Sequence, residues 1–334
     1  MLMKMMFVMI MMLGTLISIS SYSWINIWIG LEMNLLAFIP LINMDNFKQS
    51  AEVSMKYFLV QATASLFIMF AFLMTFIENN SLEQLSPTSN FIFNCSILMK
   101  MGAAPFHMWY PNVAMGLSWM NNILLMTWQK IAPMILIMYN FNMNLFFCMI
   151  ILISMTISGL SIWNQTDMKK ILALSSINHM GWMMAMMFLN QSLWIMYFIV
   201  YFFLTTNLIL VLNNYKINST YELAMLFNTN KSTKFFFFLN LMSLGGVPPF
   251  LGFFPKWMAL KILLENEMYF LAFLMIFLTL LSLFIYIRIM VQSMVFKISE
   301  KKNTFKNSKL YFIYFINWVN ILGLTIFTII LNVY

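Results

Sequence analysis

The chain has 334 residues, 62% of them hydrophobic and 8% charged, with a formal net charge of +8 and a mean hydropathy of +0.85. A soluble domain has no means of hiding that much apolar surface, so the class is all-α integral membrane, with helices as the spans. The two cysteines, Cys95 and Cys148, both sit in apolar runs, which excludes a disulfide framework and a cysteine-ligated metal centre.

A helix needs about 17–25 apolar residues to cross a bilayer. In chain order, eleven such stretches are predicted: 3–19, 24–42, 57–77, 91–109, 119–139, 145–163, 171–189, 193–212, 235–260, 268–292 and 311–330. The first lacks a small-residue cleavage site followed by a soluble domain, so it is read as a retained span and not as a signal peptide. The connections are short apart from 43–56, 79–90, 213–234 and 293–310, and none is long enough for a soluble domain. Residues 1–334 therefore form one membrane domain.

Loop charges support this layout. With eleven spans, thirteen lysines from Lys4 to Lys309 collect on the N-terminal side. The other side keeps Lys261, beside Glu78, Glu83, Glu265 and Glu267. By the positive-inside rule the N-terminus faces the cytoplasm or its equivalent. The net charge thus follows topology, and no nucleic-acid partner is expected.

Four cations belong to no loop: Lys100, Lys130, Lys256 and Arg288. Arg288 lies about one turn from the end of its span and reads as a snorkelling anchor. Lys100 stands in ILMKMGAAPFHMWYPNVAMG, residues 97–116, beside a break made by Gly102, Pro105 and Pro111. A proline removes a backbone donor and clashes with the preceding turn. In lipid, such a break survives only when buried in protein or lining a wet cavity. Shifted by 144 residues, the pattern recurs in 244–260: Gly102 falls on Gly246, Pro105 and Phe106 on Pro249 and Phe250, and Pro111 on Pro255, with Lys256 next to it. Paired Gly/Pro-interrupted spans in corresponding halves point to a transporter's ion pathway. This defines a first repeat, 24–139, broken near 100–111, and a second, 145–292, broken near 245–256, with 311–330 as a C-terminal helix.

Glu32 is the only acid placed mid-span. Burial disfavours the charged form of a lysine and a nearby carboxylate favours it, so moving that carboxylate can make a lysine release or take a proton. Glu32, Lys100, Lys130 and Lys256 therefore suit a stepwise proton relay. Glu32 and Lys100 are expected within ion-pair range, and Lys130 between the other two lysines. Gln61, Asn121, Thr127, Gln129 and the run 175–179 supply groups that hold water. His179 reads more readily as a hydrogen-bonded packing residue, and His107 lies in the break itself; both are secondary relay candidates. No phosphate-binding glycine loop, paired metal-ligand histidines or hydrolase nucleophile turn is present. The 37 methionines are scattered as apolar filler.

LMKMGAAPFHMWYPN, TWQKIAP, NQTDMKKILALSSINHMGWM and SLGGVPPFLGFFPKW, in this order, resemble the chain 2 family of mitochondrial NADH:ubiquinone oxidoreductase, respiratory complex I. WIGLEMNLLAFIPL and the short first segment resemble its animal, particularly arthropod, form. Abundant methionine and scarce arginine also suit an AT-rich mitochondrial genome. The resemblance implies an antiporter-like fold with two inverted repeats, each with one broken helix. It also implies a mitochondrial inner-membrane location, with the N-terminus in the matrix and the C-terminus in the intermembrane space. The family's functional positions fall on Glu32, Lys100, Lys130 and Lys256. Flavin, iron–sulfur clusters and ubiquinone are expected in partner subunits, with no cofactor or metal in this chain. The implied partners are other membrane-arm subunits, including neighbouring antiporter-like chains, supernumerary subunits, and lipids such as cardiolipin. Two departures stand near the matrix mouth: Asn112 where bacterial relatives often carry an acid, and Met115 where many insect relatives carry glutamate. The competing readings are a free-standing Na⁺ or K⁺/H⁺ antiporter, disfavoured by the single mid-span acid, and a structural spacer without relay function.

Overall fold

The computed structural model describes residues 2–44, 50–79, 87–139, 145–226, 231–295 and 323. The predicted span 311–330, most of the loop 293–310, Lys48 and Glu83 lie outside the described residues. The described residues are helical, with no β-strand beyond an isolated bridge between Asp167 and Ser219. The chain divides into two compact units, Met1–Met143 and Asn144–Tyr334.

The first unit contains α1 (Leu2–Ser20), α2 (Trp24–Asn43), α3 (Ser50–Asn79), α4 (Pro87–Met101), α5 (Trp109–Gly116), α6 (Trp119–Met126) and α7 (Trp128–Tyr139). Small residues set the α1–α2 contact. A Cβ placed on Gly30 would meet Ser18 N at 2.6 Å and Gly14 O at 2.8 Å, so the two backbones touch where side chains would otherwise separate them. This seating fixes the α2 segment that carries Glu32 and Asn34.

The second unit contains α8 (Leu145–Ser161), a 3₁₀ turn (Ile162–Asn164), α9 (Met168–Leu189), α10 (Gln191–Tyr215), α11 (Thr220–Leu226), α12 (Lys231–Gly245), α13 (Phe253–Glu265) and α14 (Tyr269–Val295). One end of this unit carries Lys169 and Lys170 at the start of α9, Lys216 at the end of α10 and Lys234 at the start of α12. Lys234 donates to Ser293 O at 2.7 Å, which ties that end to the finish of α14. Glu265 and Glu267 lie before α14, whose 27 residues separate the two ends by about 40 Å.

Among the described residues six segments are long and apolar enough to cross a membrane: α1, α2, Ser50–Ile77, Leu145–Asn164, α10 and Tyr269–Ser293. Three of the other predicted spans are each split into two helices. Two of these breaks are the predicted ones. The third corrects the expectation of a continuous helix over 119–139, because α6 ends at Met126 and α7 begins at Trp128. The Thr127 hydroxyl donates back to Ile123 O at 2.6 Å, a contact that bends helices. Pro133 has no N–H for the Gln129 carbonyl, so the ladder is already short on the far side of the bend.

Candidate functional site

Both predicted breaks begin with the same helix stop. Gly102, with φ +71°, donates to Met99 O at 3.2 Å, and Ala103 donates to Leu98 O at 3.1 Å. Gly246, with φ +79°, donates to Ser243 O at 3.0 Å, and Val247 donates to Met242 O at 3.2 Å. This is the Schellman pattern, in which a left-handed glycine turns two terminal N–H groups back onto the last turn. Each following loop holds a cis X–Pro bond, Ala104–Pro105 in one and Pro248–Pro249 in the other.

The stop leaves the last carbonyls of each helix to other donors. In the first unit Gln61 Nε2 donates to Lys100 O at 3.1 Å, and Trp109 Nε1 to Met99 O at 3.2 Å. In the second, Lys256 Nζ reaches back from α13 to Gly245 O at 2.8 Å and Leu244 O at 3.2 Å. Polar side chains thus receive the freed carbonyls in both units. Lys256 thus does something composition did not reveal: it caps the C-terminus of α12, where a cation also complements the helix dipole.

The cap explains Gly246. A Cβ there would stand 2.6 Å from Lys256 Cδ and 2.9 Å from Nζ, and a left-handed non-glycine residue adds roughly 1–2 kcal/mol of strain. Gly246→Ala is therefore expected to displace Lys256 and lower the yield of folded subunit. A native gel of the purified assembly showing wild-type amounts would refute that close fit.

In the first unit Lys100 and Lys130 are both buried, 7% and 1% exposed. They line one cavity of about 10 Å³ together with Tyr57, Gln61, Tyr110 and Gln129, which is room for about one water molecule. Lys130 Nζ lies 5.4 Å from the centroid of the Tyr110 ring, a favourable cation–π placement. Gln129 Nε2 donates to Asn34 Oδ1 at 2.9 Å, and the Tyr57 hydroxyl donates to Gln129 Oε1 at 3.5 Å. A polar chain therefore runs from α2 through α7 to α3 along the lysine cavity.

Glu32 corrects one expectation. No direct ion pair between Glu32 and Lys100 forms within 4.0 Å. Lys100 lines the cavity it shares with Lys130, which Glu32 does not border. Glu32 Oε2 is buried with no hydrogen-bond partner among the described residues.

The histidines occupy separate settings. His107 Nδ1 stands 3.2 Å from Pro105 O, bracing its own loop. His179, on α9, meets the Tyr197 hydroxyl at 3.0 Å and packs against the Tyr201 ring. Beside it Asn178 donates to Ser282 Oγ at 2.9 Å, and the Ser175 hydroxyl donates to Leu172 O at 2.8 Å. The polar run 175–179 thus faces α10 and α14 inside the second unit.

Residues 21–282 match the family described as NADH:quinone oxidoreductase/Mrp antiporter, TM. The NADH-ubiquinone oxidoreductase chain 2 of Anopheles gambiae is 43% identical over 334 residues, covering 97% of this chain and 96% of that one. The chain of the same name from Aedes aegypti is 44% identical over 326 residues, covering 95% and 94%. The chain belongs to the NADH-ubiquinone oxidoreductase chain 2 family. A chain of respiratory complex I from Thermus thermophilus has the same fold, with a TM-score of 0.86 at 20% identity over 96% of this chain and 78% of that one.

Within this family member, sequence reading missed Asn34, Tyr57, Tyr110 and Tyr197. Asn34 carried a signal, as an amide in mid-span two residues beyond Glu32. The tyrosines carried none, since an aromatic ring in an apolar span reads as filler until its hydroxyl is placed.

Proposed function

We propose that the chain is a membrane-arm subunit of NADH:ubiquinone oxidoreductase in the mitochondrial inner membrane, and that it takes part in proton translocation. The observation that carries this reading is the water-sized cavity lined by Lys100 and Lys130. A lysine pair around one water can pass a proton without either ammonium moving far, and intramembrane ionisable residues mark such pathways. Glu32 acts from outside the cavity. When its charge is present Lys100 retains its proton more readily, and when it is neutralised the proton is released toward Lys130. Lys256 is the corresponding ionisable group of the second unit, and His107 in the first unit and His179 in the second are secondary members.

The repeated Schellman stop, with the same hydrogen-bond pairs 144 residues apart, supports two repeats of inverted topology and eleven spans. The lysine-rich end of the second unit supports a matrix-facing placement of that end, with the N-terminus in the matrix and Tyr334 in the intermembrane space. Labelling that puts Lys301 and Tyr334 on one face would remove a span. Electron transfer belongs to partner subunits that hold flavin, iron–sulfur clusters and ubiquinone. Neighbouring antiporter-like chains, supernumerary subunits and lipids such as cardiolipin complete the surroundings. A free-standing Na⁺ or K⁺/H⁺ antiporter is the weaker account, because a sodium site calls for clustered carboxylates and Glu32 is the only acid placed mid-span.

Glu32→Gln tests the trigger. The variant should assemble, because Glu32 closes no ion pair, yet lose proton yield per NADH oxidised. Unchanged pumping in liposomes would remove Glu32 from the relay.

A further inference from the structure

A second polar pocket, of about 270 Å³, lies in the second unit. Its wall includes Asn164, Gln165, Thr166, Arg288 and Gln292, above a floor of Ile171, Ile285 and Ile289. Among the described residues no acidic side chain lines it, and the nearby Asp167 faces Lys170 at 4.0 Å. Arg288 is the single arginine of the chain.

Its placement is specific. Arg288 Nη1 donates to Trp163 O at 3.2 Å, which anchors one edge of the guanidinium to the end of the 3₁₀ turn. Among the described residues no second acceptor takes the remaining guanidinium donors. A fork held by one edge, with its other donors free, matches the oxygens of a phosphate group, which arginine binds in a planar bidentate way. The side-chain amides and the threonine hydroxyl around it add neutral donors. Arg288 lies seven residues before the end of α14, about 10 Å along the axis, and the Trp163 and Phe284 rings pair beside it at 5.8 Å. Aromatic rings next to a cation, near a helix end, are typical of the headgroup level. The same end carries Lys170, Lys216 and Lys234, which draws anionic lipid to that surface.

We propose that the pocket between the 3₁₀ turn and α14 binds the phosphate of an anionic phospholipid headgroup through Arg288. The apolar floor accepts the glycerol end of the acyl chains, while Gln165, Thr166 and Gln292 bind the headgroup oxygens. This inference rests on the membrane placement proposed above and assigns no part in proton transfer to Arg288.

The test uses the whole purified complex in phosphatidylcholine vesicles carrying a trace of photo-crosslinkable phosphatidylglycerol, with crosslinked peptides mapped by mass spectrometry. Label is expected on residues 163–166 and 285–292. Arg288→Gln should reduce it at least about tenfold, the change expected for each charge-assisted hydrogen bond lost, while Arg288→Lys keeps part of it. Equal labelling by a photo-crosslinkable phosphatidylcholine, or unchanged labelling of Arg288→Gln, would overturn the proposal. If Arg288→Gln fails to assemble, the ratio of phosphatidylglycerol to phosphatidylcholine labelling on the native complex decides it alone. Loss of labelling in excess inorganic phosphate, at constant ionic strength, would reassign the pocket to free phosphate and overturn the lipid source. Helix α1, whose Met5, Met9, Leu13 and Leu16 are exposed, should be labelled by either lipid in every arm. Label there without label in the pocket sinks this inference and leaves the membrane reading intact; absence of label on α1 strikes the membrane reading itself.

Discussion

Replacing Lys130 by arginine is expected to yield a complex that assembles but oxidises NADH at least about tenfold more slowly. The charge is retained, and a guanidinium can keep the cation–π contact with Tyr110, so folding has little reason to fail. Arginine releases its proton about three pH units less readily than lysine, so a relay step through this position stalls. The larger head also enters a cavity of about 10 Å³ and excludes the single water that would join it to Lys100. Electron transfer slows because pumping and quinone reduction are coupled in the proposed complex. Ubiquinone-dependent NADH oxidation by the purified variant, corrected for assembled complex on a native gel, checks this. A normal rate would favour the structural-spacer reading.

The second large effect separates the two roles of Lys256. Lys256→Met removes the donor to Gly245 O and Leu244 O, and each buried carbonyl left without a partner costs about 1–3 kcal/mol. That variant should show a marked fall in assembled complex. Lys256→Gln keeps an amide N–H near the same carbonyls but carries no transferable proton, so it should assemble and turn over slowly. Native-gel yield and NADH oxidation, measured on both variants, distinguish the outcomes. Full assembly of Lys256→Met would refute the cap, and full turnover of Lys256→Gln would take Lys256 out of proton transfer.

Much of this site was legible before any coordinates. Glycine at 102 and 246, each followed by proline, marks a left-handed helix stop with no continuation, and both stops formed where the residues demanded them. Assigning lysines to loops left Lys100, Lys130 and Lys256 as a remainder, and all three are buried in the structure. What sequence could not supply was pairing between elements. Gln129 meets Asn34 and Tyr57 across 95 and 72 residues, and no periodicity records which face of α7 turns to α2. The missing Glu32–Lys100 ion pair has the same origin. Charge counting says that a buried ion needs compensation, but not that a water-sized cavity beside a second lysine stands where the partner was expected. The break at Thr127 escaped because a single threonine in an apolar run is ordinary in a helix, and its back-bond to Ile123 becomes decisive only with Pro133 in the next turns. The end-capping by Lys256 escaped because a lysine after a break looks the same in sequence whether it faces water or the preceding helix.

The most direct measurement is the number of protons moved per NADH oxidised by the complex reconstituted in sealed liposomes, comparing the native assembly with Lys130→Arg. The lysine relay predicts slow oxidation in the variant and a proton yield below that of the native complex. Native turnover with an undiminished proton yield would contradict the relay and leave this subunit as a spacer in the membrane arm.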